Sequence, residues 1–304
     1  MAKEQDEAHR ITDPEFGVPY ITAETIRAHP RFAEARSLYL QNLLTLYGDD
    51  PFLNKLLLEA ARTVVFGGII CLVAAQDPAD RTTWPTLANV KRLLEPFRMS
   101  SPRRIEQIVS RLIAVGYVVQ RSAPNDARVR LLAPTMPMLR HDQDWLAAYY
   151  QPLALLYPGA LYERPLARDR AFQFAQRRAA FAFNPRSAQV LVGNPDMMLF
   201  AGRDAGALIL AQVVQDAQHG RNSSFDAIGR RFAVSRTHVR LLLQDAAARG
   251  LMRLHGRGGQ QVDLLPPLWS MLDRFVSDGM SAHDLTAAVA RRALESEARL
   301  REVG

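Results

Sequence analysis

The 304-residue chain carries one cysteine, Cys71, so no internal disulfide can form and disulfide-stapled scaffolds are excluded. Cys71 sits in the apolar stretch 64–75, VVFGGIICLVAA, and reads as a small buried hydrophobe rather than a nucleophile. That stretch is twelve residues long, whereas a membrane-spanning helix needs about 20. The first ten residues, MAKEQDEAHR, lack an apolar core, so no secretory signal is expected and the cytoplasm is the default compartment. Lysine is scarce: Lys3, Lys55 and Lys91 are the only three, and the other cations among the 38 are arginines. Hydrophobic residues make up 48% and charged residues 23%. This profile excludes collagen-like and disordered classes and suits about two globular domains.

Catalytic signatures are missing too. No Gly-x-x-x-x-Gly-Lys phosphate loop and no Gly-x-Ser-x-Gly elbow occurs. The seven histidines are scattered, and none pairs with another His or with Cys at metal-ligand spacing. His141-Asp142 and His283-Asp284 read as surface or cap residues. The expectation is a non-enzyme with no cofactor and no metal.

What is present is positive charge, +7 net with a pI near 9.9, which favours a polyanionic partner. Apolar spacing predicts a mainly helical chain. Residues 1–20 read as a polar arm, 22–46 as a helix interrupted at His29-Pro30, and 62–76 as an apolar helix. Residues 144–183 read as helical with breaks at Tyr157-Pro158-Gly159 and Asn184-Pro185, and 282–302 as an amphipathic tail helix. Strand signals are confined to 117–120, 129–132, 251–254 and 262–265.

The most informative feature is an internal repeat. Residues 101–116, SPRRIEQIVSRLIAVG, align without gaps on 235–250, SRTHVRLLLQDAAARG. Ser101 falls on Ser235, Ile105 on Val239, Val109 on Leu243, Leu112 on Ala246 and Gly116 on Gly250. Further on, LLAPTMPML at 131–139 matches LLPPLWSML at 264–272 at both leucines, a proline and the Met-Leu pair. An apolar helix precedes each copy, at 62–76 and 203–218. Duplication explains matches that recur in one order.

Each copy reads as a short helix, a tight turn, a second helix and a two-stranded hairpin. Ser101 and Ser235 are suited to cap the second helix, Pro102 to its first turn, and Gly116 and Gly250 to its C-terminal end. The first hairpin turns around Pro124-Asn125-Asp126 and the second in the glycine cluster 256–259. This order is that of a winged helix-turn-helix. The second helix of such a unit enters the major groove of DNA. By helical period, Arg103, Arg104, Gln107 and Arg111 point outward in the first copy. Arg236, Thr237, Arg240 and Gln244 do so in the second, with Leu241 among them. Arg and Gln suit guanine and adenine edges, and Ser101, Ser235 and Thr237 suit phosphates or either base type. Wing cations are Arg121, Arg128 and Arg130 in the first hairpin and Arg253, His255 and Arg257 in the second. These can enter the minor groove or neutralise phosphates.

The first copy resembles the MarR family of bacterial regulators. The resemblance rests on Arg111-Leu112-Ile113-Ala114-Val115-Gly116-Tyr117-Val118, then Asn125-Asp126-Ala127-Arg128, then Leu132-Ala133-Pro134-Thr135. It covers residues 62–139. It implies that Arg128 reaches the minor groove, held by Asp126, and that the chain is a transcription regulator with two DNA-binding units fused as a pseudo-dimer. Such a chain would bind a pseudo-palindrome of double-stranded DNA with half-sites about one helical turn apart. The second copy lacks Asp-x-Arg.

The expected organisation is an arm and helices at 1–60, a first winged-helix domain at 61–140, a helical linker or dimerisation region at 141–200, a second winged-helix domain at 201–273 and a terminal helix at 274–304. Two other readings remain open. One is a tandem winged-helix protein-interaction or chromosome-organising module; the other is a plasmid-type replication initiator. A homodimer and a small-molecule effector also remain open, since Tyr149, Tyr150, Tyr157, Tyr162, Phe172, Phe174, Phe181 and Phe183 are able to line a pocket or to form helix–helix core.

Overall fold

The computed structural model describes residues 10–48, 50–124, 126–256 and 261–303. The chain enters through a small antiparallel hairpin, β1 (Arg10–Thr12) and β2 (Pro19–Ile21). This corrects the expected polar arm: the hairpin is anchored to the far end of the chain, and Ile21 is fully buried. Helix α1 (Ala23–Ala28) starts on Thr22, whose hydroxyl accepts the Thr25 N–H. His29-Pro30 interrupts the run, and α2 (Phe32–Tyr47) resumes it. Helix α3 (Pro51–Leu57) is capped by Asp50, and α4 (Ala60–Ala75) holds the apolar stretch with Cys71 buried. Burial pushes the Cys71 thiol up to about 11, so it stays protonated, as a small buried hydrophobe would.

Two segments then share one order of elements. In the first, α4 leads to α5 (Leu87–Leu94) and α6 (Pro102–Ala114), then strands β3 (Val118–Ala123) and β4 (Asp126–Pro134), then α7 (Met136–Leu156). Helices α8 (Glu163–Leu166), α9 (Arg170–Ala182), α10 (Asn184–Val192) and α11 (Pro195–Ala201) connect the two. In the second segment, α12 (Gly206–Gln218) leads to α13 (Phe225–Arg231) and α14 (Arg236–Ala248), then β5 (Met252–His255) and β6 (Gln261–Leu264), then α15 (Pro266–Val303). The described residues thus form a mainly helical protein of fifteen α-helices with three two-stranded antiparallel sheets.

Helix α15 runs for 38 residues, about 57 Å at 1.5 Å per residue. The tail helix expected from residue 282 is only its second half, because Leu268, Leu272 and Val276 extend the apolar face backward. The expected boundaries at 140/141 and 273/274 fall inside α7 and α15. One cluster of buried apolar side chains joins both segments, from Ile69 and Leu112 through Tyr150 to Leu210, Leu242 and Leu272.

The aspartates of the two His-Asp dipeptides, expected as surface or cap residues, are buried in ion pairs instead. Asp142 is paired with Arg177, and Gln173 Nε2 donates to it at 2.7 Å. Asp284 accepts from Arg10 at 2.9 Å, from the Ile21 N–H at 2.8 Å and from the Tyr162 hydroxyl at 2.7 Å. Burial and the neighbouring Asp284 carboxylate both push the Tyr162 phenol up, so it remains a donor. A His-Asp dipeptide reads as surface in one dimension; here α9 and the N-terminal hairpin bring the partners that make burial tolerable. No single helix among the described residues is long and apolar enough to cross a membrane.

Candidate nucleic-acid interface

The two repeat copies share their local geometry down to the caps. Ser101 accepts the Arg104 N–H at 3.3 Å, and Ser235 accepts the His238 N–H at 3.0 Å. The turn before each helix holds one residue in the left-handed region, Arg98 at φ 52° and Ala233 at φ 56°. At the far end, Gly116 (φ 77°) and Gly250 (φ 71°) reverse the chain in a conformation that favours glycine. The Tyr117 N–H then reaches back to the Leu112 carbonyl, and the Leu251 N–H to the Ala246 carbonyl, at 2.9 and 3.1 Å.

The strand register corrects one part of the repeat. Val118 pairs with Pro134, and Met252 with Leu264. Just beyond these pairs, the Thr135 N–H donates to the Tyr117 carbonyl and the Leu265 N–H to the Leu251 carbonyl. Thr135 therefore occupies the place of Leu265, and Met138 the place of Leu268, both fully buried. The LLAPTMPML and LLPPLWSML segments match as strings but stand three residues out of step in space. The cause is the shorter second hairpin: Met136 follows Gly116 by twenty residues, and Pro266 follows Gly250 by sixteen.

The apolar positions of α6 and α14 are buried as their period predicts: Ile105, Ile108, Val109 and Leu112 in one, Val239, Leu242, Leu243 and Ala246 in the other. On the opposite faces Ser101, Arg103, Arg104, Gln107 and Arg111 are exposed, as are Ser235, Arg236, Thr237, Arg240 and Gln244. Leu241 is also exposed, at 47%. Arg121, Arg128, Arg130 and Arg253 are exposed on the hairpins; Arg257 lies outside the described residues, as do Asn125 and most of the glycine cluster. Arg128 extends into solvent, its side chain 93% exposed. Asp126 accepts from the Arg128 backbone N–H at 3.1 Å and from its Nε at 3.2 Å, so the carboxylate orients the guanidinium. Arg130 donates to Ser122 across the hairpin at 2.8 Å. His255 lies 3.0 Å from Asp263.

No protein-family model, curated protein or solved structure matches the chain.

The tertiary structure adds residues that spacing did not single out. Lys55 and Arg62 come beside Arg104, Gln107 and Arg111 around a concavity of about 260 Å³. They come from α3 and α4, about fifty residues earlier in the chain, so no local pattern could have revealed them. Glu59, at the start of α4, sets the charge of this corner. Its carboxylate receives Arg104 at 2.5 Å and Arg62 at 3.4 Å. Arg62 also reaches Asp204 at 2.9 Å, and the Asp204 carbonyl lies 2.9 Å from the His238 ring nitrogen on α14. A continuous chain of contacts therefore links the first turn of α6 to the first turn of α14. With ordinary side-chain lengths, it limits the distance between Arg104 and His238 backbones to about 30 Å. Both helix N-termini, each with its cap and outward cations, border one patch of the molecule.

Proposed function

We propose that this chain is a sequence-specific double-stranded DNA-binding protein acting in transcription regulation, with α6 and α14 as recognition helices of two fused winged helix-turn-helix units. One observation carries the reading: the starts of both helices meet at the Glu59–Arg62–Asp204 bridge, with the exposed Arg103, Arg104, Gln107, Arg236 and Arg240 around it. Recognition helices read base edges from their N-terminal residues, so two such ends sharing one patch suit a single duplex. The wings support the same duplex, with Arg128 aimed outward by Asp126 to a minor groove or phosphate. The outward residues of the two helices differ, so the two half-sites differ as well.

The test is fluorescence anisotropy of the full chain on its gene's upstream duplex and on a scrambled duplex, across a salt series. The upstream duplex binds more tightly, with a steep salt slope that counts phosphate contacts. Arg104→Ala and Arg240→Ala each weaken specific binding by about 1–3 kcal/mol, whereas Arg128→Ala weakens both duplexes alike and flattens the slope. Equal, weak binding to both duplexes points to a non-specific binder, and binding to iterated origin repeats points to a replication initiator. No binding at low salt, with folded protein, rejects the reading in favour of a protein-interaction module.

A further inference from the structure

Between the two helix–helix–hairpin segments lies a cavity of about 320 Å³. Helices α2, α4, α7, α9, α12 and α15 all contribute to its wall. Most of that wall is apolar, including Leu43, Phe66, Leu210 and Val276, with Trp145 and Tyr149 stacked at a centroid distance of 4.0 Å. Of the eight aromatics named from the sequence, Tyr149 and Phe183 line it; Tyr150, Tyr162 and Phe172 are fully or almost fully buried in the core.

Two glycines border this space. Gly67 on α4 and Gly279 on α15 both line the cavity, and a Cβ placed on either meets nothing within 4 Å. Glycine inside a helix costs about 1 kcal/mol relative to alanine, and packing does not demand it at these two positions. The neighbouring Gly68 is different, since its Cβ would touch Leu93 and Leu94 at 3.4 Å. A side chain at Gly67 or at Gly279 would project into open space at the cavity wall.

The polar groups in the wall define what could fill it. Gln176 is 2% exposed. Its Nε2 donates to Thr286 Oγ1 at 3.2 Å, and its Oε1 has no hydrogen-bond partner. That oxygen is closed off from the open space, so Gln176 presents no free acceptor to a ligand. The charges are already matched: Asp142 with Arg177, and Glu59 with Arg62 and Arg104. His283 donates from Nδ1 to the Gly279 carbonyl at 2.7 Å, and burial keeps its ring neutral at neutral pH. No uncompensated charge is left to attract an ion. Ligand pockets run from about 300 to 1,000 Å³, and about 150 Å³ of dry apolar cavity already holds one benzene. The space therefore suits two or three rings.

We propose that this cavity binds a neutral, largely apolar molecule of two or three rings. The site is argued from the cavity alone and does not depend on the DNA-binding reading. The probe is N-phenyl-1-naphthylamine, which is uncharged, carries three rings and has a single N–H. Titrated into the full-length chain, it gives saturable emission at one probe per chain, with a Kd of about 1–10 μM. Gly67→Leu and Gly279→Leu, whose added side chains enter the cavity, each weaken it at least about tenfold with unchanged circular dichroism. Where a leucine variant fails to fold, Gly67→Ala and Gly279→Ala serve, with a loss of about threefold. Emission that does not saturate, or an affinity that no folded glycine variant alters, overturns the proposal.

Discussion

Glu59→Gln is the most incisive test of the interface, because Glu59 is the one carboxylate that holds Arg104. Its side chain is 10% exposed, while Arg104 is 45% exposed. Phosphate must compete with that carboxylate for the guanidinium. The amide removes one negative charge, leaves Arg62 on Asp204 and frees Arg104. One added phosphate contact steepens the slope of log K against log salt by about 0.9. Between 50 and 200 mM salt this amounts to about a threefold change in affinity. Glu59→Gln should therefore gain about threefold in affinity relative to the parent as salt falls from 200 to 50 mM. In the Arg104→Ala background the gain should vanish. The amide keeps hydrogen-bonding capacity and Arg62 keeps Asp204, so stability should fall by no more than about 1–3 kcal/mol, and thermal unfolding checks this. Glu59 also borders the cavity, so naphthylamine binding is measured alongside. An unchanged salt slope, or a gain that survives Arg104→Ala, refutes the placement of Arg104 against DNA.

Other consequences concern stability. Asp284→Ala strands Arg10, the Ile21 N–H and the Tyr162 hydroxyl around an empty place. It should destabilise by about 3–5 kcal/mol in denaturant titration, and a loss under about 1 kcal/mol would show that the hairpin anchor is dispensable. His283 is held down to about 4 by burial, against 6.5 for the free ring. Its folded pKa is depressed, so the unfolded chain takes up the proton first as pH falls. The associated stability is complete above about 6.5 and declines as pH drops toward 4, by roughly 1.4 kcal/mol per pH unit at most. His283→Asn should flatten that acid limb of the Tm profile, and a limb of unchanged steepness would place the titration elsewhere.

Much of the two repeated segments was legible because their determinants are local. A serine cap, a 3.6-residue apolar period and a glycine at positive φ each act within a few residues. The observed α6 and α14, and strands β3 to β6, lie where those signals put them. The hairpin β1–β2 was not legible, because its stability comes from Asp284, which accepts the Ile21 N–H across 263 residues of chain. The Leu-Leu and Met-Leu matches misled for the opposite reason. String identity is blind to strand register, and a shorter hairpin shifts the following helix whatever letters it carries. Likewise His141-Asp142 and His283-Asp284 read as surface pairs until Arg177 and Arg10 arrive from distant elements.

The sequence by itself determined the helical class, the cap–helix–glycine–hairpin pattern that occurs twice and the outward arginine faces, since each follows from periodicity and from the conformational limits of single residues. Only the tertiary structure decided how these parts relate. It joined the starts of α6 and α14 through Glu59, Arg62 and Asp204, added Lys55 and Arg62 to the basic corner, and opened a cavity bordered by Gly67 and Gly279. Those relations depend on how helices far apart in the chain pack around one shared core, and pairwise distances of that kind leave no local mark on the order of residues.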